Sequence, residues 1–319
     1  MNFQSRRTAT VRAGVVLVAS SLTFAACGTA SVATKASGVK VNGVKVSVIH
    51  SAAKLLPTSY KQSGIKIVTS APYPPFEEFA TGNVLSGLDI DTGKALAAAL
   101  GTTAHFSSID FSGVIPSLQA HKYDALLADT GDTHQRSAAL DFVEYSLQGE
   151  VLVVAKGNPN HITGLKSLCG LTLSMEAANA PSGYFNTVNN YCKSKGKQPM
   201  ILKQLPTTAD ALLALTSGTA QAQFVGVGAA PALVAQTKSK TQAINPPGFV
   251  GGYGALYVGV GLPKSSPLRA AIVAAMRGLL ANGVLKALFT KYGLQSTLIS
   301  QIKVNAISSG GGSYVTLEK

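Results

Sequence analysis

Five stretches between residues 71 and 145 decide the fold: APYPPFEE (71–78), GLDID (87–91), FSGVIPSLQAHKYDALLAD (111–129), THQR (133–136) and DFVEY (141–145). Strand and helix signals alternate through them. IKIVTSA (65–71) reads as a strand, and Asp91 is placed to cap the helix TGKALAAAL (92–100), which Gly101 closes at C′. FSGVIPSLQAHK is a short helix leading into the strand YDALLAD. Such alternation specifies an α/β layered fold. The run ends on Arg136. Thr133 can cap a helix whose first turn holds Arg136, where the helix dipole opposes a cation by about 0.3–1 kcal/mol. A bound anion reconciles the two, because helix-start amides and a guanidinium both favour a carboxylate. The alternative is a plain ion pair with Asp132 or Asp141.

Further along, DFVEYSLQGEVLVVAKG (141–157) is apolar and β-rich, and carries the chain into a second lobe beginning near LKSLCGLTLSM (165–175). YGALYVGVGLPK (253–264) reads as a returning strand. Ser266 and Pro267 open the last long helix, on which Leu268, Ile272, Ala275 and Leu279 share a core-facing stripe. Two extended crossings make a hinge, and small ligands bind in the cleft between hinged lobes.

Together with the L-C-G turn at 168–170 and its partner Cys192, KGK (195–197), TTADALLALTSG (207–218) and NGVLKALFTKYG (282–293), these motifs resemble the extracytoplasmic solute-binding proteins of family 3, which feed amino-acid ABC importers. The resemblance covers about Leu55 to Ala306. It implies a two-lobed, periplasmic-binding-protein-like fold of type II, with residues 65–148 plus 257–306 as lobe 1, residues 149–256 as lobe 2 and 307–319 as a tail. It also implies that Arg136 forks onto the ligand's α-carboxylate, helped by the Thr133 amide and by Gly131 in the same loop. An ABC permease is the implied partner, the implied state is a monomer, and no cofactor or metal is called for.

The other site residues follow from the same comparison. Tyr73, stiffened by flanking prolines, is expected as an aromatic lid at the cleft rim, with Phe76 in the core. Phe111 is a wall candidate or a core residue. The family's Gly-Thr carboxylate grip is replaced by Ala178-Asn179-Ala180-Pro181, where Asn179 can cap a helix begun by Pro181. The larger departure is Gly226, which stands where the family commonly carries an aspartate for the α-ammonium. Asp129, where relatives often carry Ser, is the candidate replacement charge from the other lobe. The competing explanations are a ligand without an α-amino group and an offset in the alignment.

Compartment is read from the N-terminus. Arg6, Arg7 and Arg12 precede the apolar stretch AGVVLVASSLTFAA, an export signal over residues 1–26. FAAC resembles a lipobox, making Cys27 a lipidated mature N-terminus, the alternative being an ordinary cleaved signal. Residues 27–64 read as a mostly flexible, membrane-anchored spacer, in which the alternation of GVKVNGVKVSV can form a short strand pair but marks no core. This places the protein outside the cytoplasm, on the outer face of the cell membrane or in the periplasm. Cys169 and Cys192 then fit a disulfide in an oxidising compartment, since a metal site needs more ligands than they and five scattered His supply. The formal charge of +13 is front-loaded. Nine basic residues precede the first acid, Glu77, and beyond it 18 basic face 14 acidic. No basic stripe interleaved with aromatics crosses the body, so nucleic acid is not the expected partner.

The expected function is the substrate-binding component of an ABC importer, taking an amino acid or related small carboxylate by lobe closure, and not an enzyme. The alternatives are an enzyme on the same fold, resembling a cyclic-carboxylate dehydratase, or a ligand sensor without transport. No G-x-S-x-G, HExxH or nucleophilic Cys context supports catalysis.

Overall fold

The structure, a computed structural model, describes residues 38–179, 185–244, 251–307 and 317. Its elements run β1 Val39–Val41, β2 Val44–Val46, α1 His50–Ala53, α2 Thr58–Ser63, β3 Ile65–Thr69, β4 Glu78–Ala80, β5 Val84–Ser86, α3 Leu88–Leu100, β6 Ala104–Ser108, α4 Phe111–Gln119, β7 Ala125–Leu126, α5 His134–Ala139 and β8 Leu140–Ala155. They continue with β9 Thr172–Glu176, α6 Asn186–Ser194, β10 Ile201–Leu205, α7 Thr208–Thr216, β11 Ala222–Gly226, α8 Ala230–Gln236, β12 Thr241–Ile244, β13 Tyr253–Pro263, α9 Arg269–Ala281, α10 Val284–Lys291 and β14 Leu298–Val304.

Two long strands set the architecture. β8 runs 16 residues and pairs antiparallel with β13, from Pro263 opposite Leu140 to Tyr253 opposite Glu150. Around this pair the sheet reads β10-β9-β11-β8-β13-β7-β3-β6, with β12 and β14 also on β8. β11 and β12 take the far end of β8, residues 150–155, while β14 takes its near end. The parallel strands β3, β6 and β7 belong to one lobe, and the parallel strands β9, β10 and β11 to the other. This is the two-lobed α/β fold the motif run specified, with β8 and β13 as the crossings.

Helical periodicity was legible. Leu268, Ile272, Ala275 and Leu279 are all fully buried, three of them on α9 and Leu268 at its N-cap, and α9 packs on α3. Gly101 ends α3 in the left-handed region, at φ 72°. In the second lobe Leu152, Leu173, Phe224 and Tyr253 form a separate core that includes the Cys169–Cys192 disulfide, whose Cα atoms are 5.5 Å apart.

Two expectations need correction. Residues 38–63 are not a flexible spacer: GVKVNGVKVSV folds as the β1–β2 hairpin, turning at Asn42 and Gly43 with φ 45° and 77°. Its alternation places Val41 and Val46 in the main core with Ala52 and Leu56, which is why the segment docks. Nor does Asp91 cap α3. The Leu88 and Asp89 amides donate to the carbonyls of Pro75 and Phe76, so the APYPPFEE loop caps the helix and it starts a turn earlier. Asp91 instead accepts from Asn42 and Tyr292, at 2.8 and 2.7 Å, tying the hairpin to α10. Residues 1–37, with the export signal and Cys27, lie outside the described residues, as do residues 180–184 with Pro181 and all of the tail from 308 except Leu317.

Candidate functional site

The β7–α5 loop and the middle of β8 bring most of the expected site together. Asp129, Gly131, Arg136, Gln148, Gly149, Glu150, Asn179, Gly226, Gly254, Leu256 and Val258 line one cavity between the lobes. Thr133 caps α5, its hydroxyl accepting the Arg136 amide at 3.2 Å.

Arg136 is buried, and its guanidinium lies 5.3 Å over the ring of Phe111. Phe111 is therefore both a buried residue and the wall behind the cation. The guanidinium donates to Gly131 O at 3.0 Å, and across the cleft to Ala178 O at 2.8 Å and Asn179 O at 3.2 Å. At the second lobe it thus meets carbonyl oxygens, while the helix that Pro181 was expected to begin lies outside the described residues. The ion-pair alternative finds no support among the described residues: Asp141 pairs with Lys264 and Arg269, while Asp132 accepts from Ser137 and Ile307. Burial pushes the Arg136 pKa down to about 10, against the pull of Glu150, Asp132 and Asp129.

Tyr73 is not a rim lid. It is buried, stacked 5.7 Å from Phe76, and its hydroxyl accepts the Gly226 amide of the opposite lobe at 3.1 Å. Position 226 must be glycine for this contact, because a Cβ there would lie 2.6 Å from the Tyr73 hydroxyl.

Asp129 stands opposite. Its backbone occupies the left-handed region at φ 41°, held by a 2.6 Å bond from its amide to Asp89 Oδ2. Asp89 Oδ1 accepts from Tyr145, and Asp129 Oδ1 accepts from Gln148 Nε2 at 2.6 Å. Burial, then Asp89 and Glu150, hold the Asp129 carboxyl well above its ordinary range. Burial likewise raises Asp89 to about 6, and Glu150 and Glu176 to about 7. Glu77, fully enclosed, is pushed up by burial and then by Asp89, Asp129 and Glu176. Asp129 and Glu150 therefore share the cavity with the Arg136 guanidinium, while Asp89 and Glu77 act on Asp129 or feel it, and Glu176 acts on Glu150.

Sequence reading missed Gln148, Glu150 and the supporting role of Asp89. A signal was present: Gln148 and Glu150 lie in a central strand that also carries Asp141, Glu144 and Ser146, and polar groups persist in such a strand only where something meets them.

Residues 65–295 match the family model of bacterial extracellular solute-binding proteins, family 3. The chain belongs to that family. It is a solute-binding protein of the kind that delivers amino acids to ABC importers. Along nearly its whole length, 96% of this chain and 98% of the relative, it is 23% identical to the arginine-binding protein ArgT of Corynebacterium glutamicum. A 92-residue stretch, 29% of this chain and 38% of the relative, is 36% identical to ABC transporter arginine-binding protein 1 of Escherichia coli. Among solved structures, an ancestral arginine-binding protein bound to arginine superimposes with a TM-score of 0.62 at 28% identity, covering 72% of this chain and 97% of that one. The ancestral amino acid-binding protein AncCDT-1, described as a precursor of cyclohexadienyl dehydratase, shares the fold with a TM-score of 0.63 at 21% identity, over 73% and 97% of the two chains.

Proposed function

We propose that this solute-binding protein captures a cationic α-amino acid, with L-arginine the first candidate, and presents it to an ABC permease without chemical change. The observation that carries the reading is the charge imbalance of the cleft. One buried guanidinium shares the cavity with Asp129 and Glu150, both with raised pKa values, and the buried carboxyls of Asp89 and Glu176 add to the negative potential on that pair. Carboxyls held protonated by burial and mutual repulsion ionise readily beside an incoming cation, so a net positive ligand relieves the site and an anionic one aggravates it. Relatives named for arginine binding support the same class.

In this reading Arg136 takes the ligand's α-carboxylate, with the Gly131–Thr133 loop beside it and Phe111 behind. Asn179 and Gly226 supply the second-lobe wall. Tyr73 and the cross-lobe bonds of Arg136 form only when the lobes meet, so ligand shifts the population toward closure. The lobes divide as residues 65–148 with 257–306 and residues 149–256, hinged at β8 and β13. Export through residues 1–26 and lipidation of Cys27 would hold the monomeric body outside the membrane.

The test is thermal melting of the purified protein with basic, neutral and acidic amino acids and simple carboxylates. A ligand at 100 times its Kd adds about 2.7 kcal/mol. L-arginine or L-lysine should give the largest shift. A larger shift with an acidic or neutral amino acid would overturn the reading.

A further inference from the structure

Gly226 and Asp129 belong to opposite lobes and converge on one point. We propose that Asp129 is the counter-ion of the ligand's α-ammonium in this chain, taking over from any side chain at position 226. The inference rests on the reading that the ligand is an α-amino acid anchored by Arg136.

The geometry at position 226 rules out a side chain there while Tyr73 is seated. A Cβ on Gly226 would lie 2.6 Å from the Tyr73 hydroxyl, which the Gly226 amide holds at 3.1 Å. That same Cβ position lies 3.6 Å from Asp129 Oδ2. The Asp129 carboxyl therefore reaches the same place from the opposite wall.

The carboxylate is fixed and still has capacity. Its residue is pinned through Asp89, and Oδ1 takes the Gln148 amide. Among the described residues Oδ2 has no hydrogen-bond donor. Its hydrogen-bond partner Gln148, only 6% exposed and lining the same cavity, leaves its own Oε1 without a partner. Two unpaired acceptor oxygens on a hydrogen-bonded pair of cavity-lining residues ask for a group with several N–H donors, and a primary ammonium has three. An ordinary zwitterion satisfies both ends of the site at once, its carboxylate at Arg136 and its ammonium at Asp129 and Gln148.

The test is calorimetric titration of the unmodified protein, Asp129→Asn and Asp129→Ser, each checked for folding by circular dichroism. The two probes are L-arginine and 5-guanidinopentanoic acid, which is arginine without its α-ammonium. The unmodified protein should prefer L-arginine by about 30-fold or more, the loss expected on removing one member of a buried charge pair. In both variants that preference should collapse, while affinity for the deaminated probe changes by no more than about threefold. Variants that weaken both probes alike, or neither, would overturn the proposal, as would an unmodified protein that does not discriminate between them. Failure of the unmodified protein to bind any α-amino acid would instead defeat the functional reading itself, and this inference with it.

Discussion

The hydroxyl of Tyr73 accepts the backbone N–H of Gly226 at 3.1 Å, joining the loop after β3 to the end of β11 across the cleft. Two departures that look independent in sequence, a missing side chain at 226 and a tyrosine in a proline-stiffened loop, are one arrangement. Glycine is required because the tyrosine occupies the space, and the tyrosine keeps its hydroxyl partnered because the glycine exposes its amide.

That coupling is measurable. Gly226→Ala should lower the melting temperature of the ligand-bound protein, since overpacking of this kind costs about 1–3 kcal/mol. Tyr73→Phe removes the clashing oxygen and leaves Cζ as the nearest ring atom, 3.8 Å away. The double variant should therefore recover most of the loss. A double-mutant cycle on melting temperature and Kd reads the coupling, and strictly additive effects would refute it.

Arg136→Ala should weaken L-arginine binding by about 2–5 kcal/mol, the usual result of deleting one member of a buried charge pair. Arg136→Lys keeps the charge but not the planar fork that spans Gly131, Ala178 and Asn179. Its affinity should fall nearer to the alanine variant than to the parent. Calorimetry separates the three proteins, and a lysine variant equal to the parent would show that charge alone suffices.

The raised carboxyls give the cleft a signed pH dependence. Glu150 and Glu176 are pushed from 4.5 to about 7, and Asp89 from 3.8 to about 6, in each case chiefly by burial. Between those values the folded chain holds protons that the unfolded chain has released. Stability of the free protein should therefore fall as pH rises from about 4 to about 7. Asp141 acts in the opposite sense at lower pH: burial alone would raise it, but Lys264, Asn305 and Arg269 hold it below its ordinary value. A cationic ligand draws the cleft carboxyls back down and releases their protons. Affinity for L-arginine should rise from pH 5.5 to 7.5, by up to about tenfold per pH unit for each proton released. Titration at pH 6.5 in buffers of different ionisation enthalpy counts those protons, and a count of zero would contradict the account.

Legibility in the sequence followed the range of the interactions. The α/β alternation, the α9 stripe, the Thr133 cap and the Cys169–Cys192 pair depend on neighbours in sequence or on a small count of candidates, and all are present in the structure. The start of α3 was misplaced because its cap is a pair of carbonyls on Pro75 and Phe76, which no residue type at Asp91 reveals. Tyr73 was placed at the rim because its partner is a backbone amide 153 residues away. Glu150 and Gln148 were passed over because they lie inside a strand, where periodicity marks faces but not what crosses from the other lobe.

The hairpin offers the sharpest contrast between a tether and a folded part. A spacer can be removed without consequence for the body it lifts. Here Val41 and Val46 are buried, Asn42 bonds Asp91, and the Ile49 amide donates to Ala99 O at 2.8 Å. Full burial of one valine contributes about 1.5–3 kcal/mol as an upper estimate. Removing residues 1–48 should therefore cost about 3 kcal/mol or more, a melting-temperature loss of roughly 6–12 °C for a body of this size. No residue of the hairpin lines the cleft cavity, so Kd for the ligand should stay within about twofold of the parent, well below the tenfold that 1.4 kcal/mol represents. Differential scanning calorimetry with a parallel titration checks both halves. An unchanged melting temperature would restore the spacer, and a large loss of affinity would mean that the hairpin shapes the cleft through α3.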